Sequence, residues 1–247
     1  MPQGSFGRIV AFNDFLGGYE DITWAASSVD LGGGLYIVSV NEGSIQKVVD
    51  EPGGVIQLLT DTGDNDNVAL ISSPLQPADG GVALEARIKV ADDMSNTALF
   101  VGFSETLAQN TPVMPAEFDT TTMTYNGSGG IAGFSYDSDA TTNDFRFCAG
   151  DGGAATAGAG NGTAASQTIT ADEWYLIRVE IDVNGTARGW ISHDTNEEFK
   201  LVATFKEAVT PGDNFYPVVM CENRTGAALE FEIDYVFAEG WRDWSVG

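Results

Sequence analysis

The chain has 247 residues, with 11 Lys plus Arg against 36 Asp plus Glu and a formal net charge of −25. A field of that sign repels phosphate backbones and anionic lipid surfaces, which sets aside nucleic-acid binding and membrane attachment. Hydrophobic residues make up 43%, including 14 Phe and 5 Trp, which is ample for one large core, and no apolar run approaches the ~18 residues of a membrane span.

In chain order, residues 7–12 read as a short strand, and the turn that follows carries two large apolar side chains, Phe15 and Leu16. Strands are expected over 35–40, 55–59 and 68–72. The connection between the last two gathers Asp61, Asp64, Asn65, Asp66 and Asn67. So many oxygens suit calcium, and Asp61, Asp64 and Asp66 are its candidate ligands. The loop lacks the Glu that an EF-hand places at its twelfth position, and a polar turn is the competing reading. Residues 82–90 alternate cleanly, with Val82, Leu84, Ala86, Ile88 and Val90 inward and Glu85, Arg87 and Lys89 outward. An inner strand is expected over 98–104, then a long connection holding Pro112 and Pro115 and ending near Tyr125. Strands over 131–136 and 145–148 follow. Residues 149–166 carry no large side chain and are expected to form a surface loop.

The clearest element is the hairpin over 173–192. Tyr175, Ile177, Val179, Ile181 and Val183 fall at every second position, and Asn184-Gly185 supplies a tight turn. A two-residue turn would set Arg188 beside Ile181 on the apolar face. A three-residue loop with Gly185 as a bulge pairs Glu180 with Arg188 on the wet face instead. Burying an unpaired charge costs far more than a bulge, so the second register is expected. Strands over 199–205, 216–222 and 229–237 complete the chain. In the last, Leu229, Phe231, Ile233, Tyr235 and Phe237 are expected on one inward face, and the tail carries Trp241 and Trp244. Many short strands broken by Gly and Asn/Asp turns mean an all-β jelly-roll sandwich of two antiparallel sheets, a single domain over 1–247.

The start Met-Pro-Gln-Gly-Ser-Phe lacks the basic and apolar regions of a signal peptide, so synthesis in a cytoplasm without export is expected. Cys148 and Cys221 sit among apolar residues and read as buried thiols, and the sequons at Asn126, Asn161, Asn184 and Asn223 read as turn chemistry. Glu230, Glu232 and Asp234 share one strand face, ~6.5–7 Å apart in sequence along it. Such a row could serve glycoside hydrolysis, but a solvated face opposite Arg87 and Lys89 explains it without chemistry. His193 has no partner set for a triad or zinc site and reads as a surface turn residue. No catalytic constellation is assigned and no cofactor is required. Trp190 beside Arg178 is the candidate glycan contact, with a cation–π pair as the competing account.

The runs at residues 83–90 with 99–103, 174–182, and 232–236 resemble strands of the concanavalin A-like and laminin G-like sandwiches. The opening over 7–17 with Trp24 is similar to the start of tailed-bacteriophage virion proteins that carry this sandwich. The resemblance implies a concanavalin A-like jelly roll. It also implies a non-enzymatic capsid decoration protein on the outside of a phage head, bound to the major capsid protein and to itself, as a homotrimer. A lectin-like module for surface glycans is the alternative, and a glycoside hydrolase a more distant one. Aromatics gather at the chain ends, and Phe6, Phe12, Phe15, Trp241 and Trp244 are the candidate assembly contacts. On that reading residues 1–16 and 239–247 act as assembly arms, because ordinary termini are polar and frayed.

Overall fold

The computed structural model describes residues 7–16, 22–25, 28–48, 51, 53–89, 94–107, 112–142, 144–151, 162–193, 198–226 and 228–242. Its strands are β1 Arg8–Asn13, β2 Ile22–Ala25, β3 Val29–Gly32, β4 Leu35–Ser39, β5 Glu42–Lys47, β6 Ile56–Thr60, β7 Asn67–Ser72, β8 Val82–Lys89 and β9 Thr97–Ser104. They continue with β10 Ala116–Asp119, β11 Thr122–Tyr125, β12 Ile131–Asp137, β13 Asp144–Gly150, β14 Thr163–Thr168 and β15 Trp174–Ile181. The last four are β16 Ala187–His193, β17 Lys200–Phe205, β18 Tyr216–Asn223 and β19 Glu230–Trp241. Single 3₁₀ turns at Pro77–Asp79 and Met94–Asn96 are the helical elements among the described residues.

Two antiparallel sheets face each other. Sheet A runs β17-β16-β15-β8-β19-β6-β5-β2, with β1 also paired to β19; sheet B runs β14-β13-β12-β9-β18-β7-β4-β3. Side chains from both inner faces form one core, among them Leu84, Ile88, Tyr175, Ile177, Phe231 and Ile233 from sheet A. Leu70, Leu99, Val101, Phe134 and Phe147 meet them from sheet B. Sheet A alternates buried and partly exposed residues along β8 and β15, as a sheet with one wet face must. Strands β7, β9 and β12 of sheet B are buried at every position. Their second face is covered by the hairpin β10–β11, whose Phe118, Met123 and Tyr125 pack with Met114 on Phe100, Ile71 and Met220. That hairpin lies where the sequence suggested only a long connection. Likewise β14 takes the end of the stretch expected to be a surface loop, pairing with β13 through Arg146 and Ala164.

The hairpin of β15 and β16 adopts the register that keeps charge out of the core: Glu180 pairs with Arg188 and Ile181 with Ala187. Gly185 sits at φ +76°, a conformation that costs glycine little. Cys148 and Cys221 are free and buried, and burial pushes the Cys148 thiol up to about 12.

The chain ends correct the expectation of free arms. Residues 8–13 form β1, and β19 continues to Trp241, so the two pair directly, from Arg8 opposite Trp241 to Asn13 opposite Val236. Within the segments expected as arms, residues 8–13 and 239–241 are strand residues of sheet A. Phe15 is fully buried in the shared core and is no assembly contact. The candidates Phe6 and Trp244 lie outside the described residues. Phe12 and Trp241 remain on the surface, 51% and 42% exposed.

Candidate functional site

A bulge in β19 creates the site. Opposite β8, Ile233 pairs with Ile88 and Tyr235 with Arg87, so Asp234 is an extra residue that reverses the alternation. Beyond it, Val236 and Ala238 are buried, while Tyr235, Phe237, Glu239 and Trp241 point to solvent. Tyr235 and Phe237 are thus not core residues as the alternation suggested. They join Phe12, Trp174 and Trp190 on the outer face of sheet A, with the Phe12 and Tyr235 rings 6.5 Å apart. No sequence signal marks the bulge: the strand was expected to end at 237, and the extra residue emerges only from the pairing of the 12-residue β19 with β8.

The same face holds five cations, each facing a carboxylate. Arg87 meets Asp234 at 2.7 Å and Lys89 meets Glu232 at 2.8 Å. Burial draws the Lys89 ammonium down, but its bond to Glu232 and the nearby acids outweigh this and raise it overall. Arg87 and Lys89 also lie over the Trp174 ring, at 4.3 and 5.3 Å from its centroid. Arg178 gives one amine to Glu85 at 2.9 Å, while its Nε and second amine both reach Glu180, at 2.8 and 2.6 Å. Glu85 accepts the Tyr235 hydroxyl at 2.7 Å as well. Arg188 donates to Asp182 at 3.0 Å, and Arg8 pairs with Glu239. Asp182 also accepts the Asn184 and Thr186 N–H groups of the turn. Partial burial pushes its carboxyl up, but those bonds and Arg188 prevail and hold it below the usual range.

Where β1, β8, β15, β16 and β19 come together, the Arg178–Glu180, Arg188–Asp182 and Arg8–Glu239 pairs border a cleft of about 330 Å³, with Gly80–Ala83 on one side and Trp241 as a wall. That is the small end of the range for ligand pockets, ~300–1,000 Å³. The indole lies on Gly80, where an added methyl group would come within 2.4 Å of Trp241 Cδ1. Gly80 has φ +151°, and the lack of a side chain allows the close approach.

Of the sequence candidates, Arg178 lines this cleft and Trp190 does not; the aromatic wall is Trp241, which was expected to serve assembly. Trp190 does face outward opposite Arg178, yet the recorded cation–π contacts of this face belong to Trp174. Glu230 accepts from the Gln57 amide at 3.1 Å. With Glu232 and Asp234 ion-paired, the row fits the solvated-face reading; a general acid calls for an apolar or like-charged setting instead. His193 is a strand residue, packed on Tyr175 and paired with Glu173.

The acidic loop before β7 does not gather its carboxylates. Asp66 is buried and accepts the Gly63 N–H at 2.6 Å and the Asn41 amide, while Asp61 caps Thr62. These are turn contacts. Among the described residues the carboxylates that converge are Glu105, Asp151 and Asp213, with oxygens within 4.8 Å of one another. They come from three separate loops, which no spacing rule links, and could hold a metal ion.

A buried polar cluster lies beneath the hairpin β10–β11. Arg224 binds Asp137 at 2.6 Å, Glu222 at 2.7 Å and Glu117 at 3.3 Å. Three carboxylates thus surround one guanidinium. Burial pushes the Glu222 carboxyl up to about 7 against the pull of Arg224 and Asn67, and a hydrogen bond with Glu117 adds to the rise.

No family model matches the chain, and no curated protein does. Solved structures do. A protein of unknown function from Shewanella oneidensis MR-1 aligns with a TM-score of 0.61 at 12% identity, over 98% of this chain and 90% of that one. Peanut lectin, in a structure with a nine-residue peptide, aligns at 0.52 and 11%, covering 90% and 97%. The lectin UEA-II, complexed with galactose, aligns at 0.50 and 9%, covering 90% and 98%. The fold is a concanavalin A-like jelly-roll sandwich. Similarity at this level of identity establishes the architecture, which many functions share. No helix among the described residues is long and apolar enough to cross a membrane.

Proposed function

We propose that this protein is a non-enzymatic carbohydrate-binding module that takes its ligand on the outer face of sheet A. One observation carries the reading: a cleft with an indole wall, bordered by three arginine–carboxylate pairs. Sugars present an apolar C–H face and a rim of hydroxyls. An indole takes the first, and held guanidinium and carboxylate groups take the second without reorganising. The pairs are preorganised because each is fixed by neighbouring strands. A glycan array tests the reading. Binding above background is expected, and Trp241→Ala should weaken it at least about tenfold, the scale of a lost aromatic anchor. Trp190→Ala should change it only a few-fold. An array without signal, or a signal that follows Trp190 alone, overturns this assignment.

A second reading, capsid decoration on a phage head, draws on the likeness of the opening segment. It is favoured by the exposed apolar side chains of Val10 and Phe12 on β1 and of Leu16 just beyond it. Co-sedimentation with purified particles tests it, and a protein never found on particles removes it. The two readings are compatible, since a virion protein can bind glycans.

Calcium belongs to Glu105, Asp151 and Asp213 rather than to the loop before β7. Three carboxylates on separate loops suit a hard cation that prefers oxygen. Millimolar calcium should raise Tm, and Asp213→Asn should abolish the rise. A rise that survives this change places the ion elsewhere.

A further inference from the structure

The cleft is electrically balanced in a protein that is not. Its described lining carries three cations, Arg8, Arg178 and Arg188, and three carboxylates, Glu180, Asp182 and Glu239. The whole chain stands at −25. A ligand with a carboxylate or sulfate would need a free guanidinium edge, because bidentate pairing is how arginine takes such groups. Arg178 offers the obvious edge, and it is taken. Its Nε and one terminal amine both close on Glu180 Oε1, and its other amine is held by Glu85. Arg188 is held by Asp182, which the turn backbone fixes in place. Arg8 is held by Glu239 across the β1–β19 pair.

Glu180 is the exchangeable member of the set. Asp182 shapes the hairpin turn through two backbone N–H groups, and Glu239 sits inside the pairing of the chain ends. The Glu180 side chain is 33% exposed, and its hydrogen bonds run to Arg178. Removing it would open the Arg178 fork toward the cleft while Glu85 still holds the other amine.

Resting on the carbohydrate reading above, we infer that Glu180 is a specificity-determining residue that restricts the cleft to uncharged saccharide units. It does so by occupying the arginine fork that an acidic sugar would use. Hydroxyl-only units need no fork: they accept from single N–H groups left on the pairs and donate to the carboxylate oxygens.

The test is calorimetric titration with neutral gluco-, galacto- and manno-tetraoses and with oligogalacturonides of matching length. It is run in about 0.5 M salt, where the screening length falls to roughly 4–5 Å and the field of the whole molecule is largely suppressed. The wild type should bind at least one neutral tetraose and bind uronides at least about tenfold more weakly. Glu180→Ala should gain uronide binding by about tenfold or more. Glu180→Gln, which loses the charge but still fills the fork, should gain less. Uronides bound as well as neutral tetraoses by the wild type, or no gain in Glu180→Ala, overturns the inference and leaves carbohydrate binding standing. A folded wild type that binds nothing in the panel removes the carbohydrate reading, and this inference with it.

Discussion

Phe12 and Phe15 stand three positions apart at the same chain end, and the fold treats them oppositely. Phe12 points outward from β1 and touches the Tyr235 ring; Phe15 turns under the sheet at φ +51° and is fully buried. The Asn13 side chain accepts the Phe15 N–H at 2.8 Å, which fixes that turn. Composition alone does not separate them. Phe15→Ala should therefore cost ~3–5 kcal/mol of stability, the price of an aromatic-sized cavity in the core. Phe12→Ala should cost under about 1 kcal/mol, since the side chain lies half exposed on the sheet surface and its loss leaves no core cavity. Chemical denaturation of both variants checks this. Equal losses would show that Phe12 is held in the core in solution.

At the scale of elements, the hairpin β10–β11 is held on sheet B by a core of its own and by the Arg224 cluster. With Asp137, Glu117 and Glu222 all ionised, the cluster carries two more negative charges than positive ones, which burial makes costly. A proton on Glu222 relieves this. Its carboxyl is raised from 4.5 to about 7, so the folded state binds the extra proton more tightly than the unfolded chain does. The stabilisation is complete below about pH 4.5 and lost as pH rises through about 7. Between pH 5 and pH 8 the wild type should lose on the order of 2 kcal/mol from this group. Glu222→Gln removes the charge and keeps one of the two oxygens that accept from Arg224 and Asn67, and should flatten that part of the profile. Denaturation curves at both pH values decide it; parallel profiles for wild type and variant would assign the pH dependence to other groups.

For the molecule as a whole, 36 acidic residues against 11 basic ones leave most carboxylates without a cation of their own. Five of the eleven cations, Arg8, Arg87, Lys89, Arg178 and Arg188, lie together on the outer face of sheet A, each paired with a carboxylate. The remaining surface repels itself. Raising sodium chloride from about 20 mM to about 300 mM should increase Tm by roughly 3–6 °C, as screening relieves that repulsion. Thermal unfolding followed by circular dichroism measures it. A Tm that falls with salt would mean that the ion pairs of sheet A outweigh the net charge.

The sandwich itself was legible in the sequence, because a strand with one buried face must alternate. The pattern of residues 82–89 and 174–181 states which side of each strand is inside. The hairpin register followed from the same rule, since only one turn length keeps Arg188 out of the core. Where both faces are covered the rule is silent about partners, so the hairpin β10–β11 over sheet B could not be read. The cleft was half legible: Arg178 was visible as an outward cation, but its aromatic partner was not. A single extra residue at Asp234 reverses the direction of every side chain after it. Whether a strand bulges is decided by the register of its neighbours, here Ile88 and Arg87 on β8. The convergence of Glu105, Asp151 and Asp213 likewise needs three loops to meet in space. Local pattern determines faces, and only the tertiary pairing decides which faces and loops are brought together.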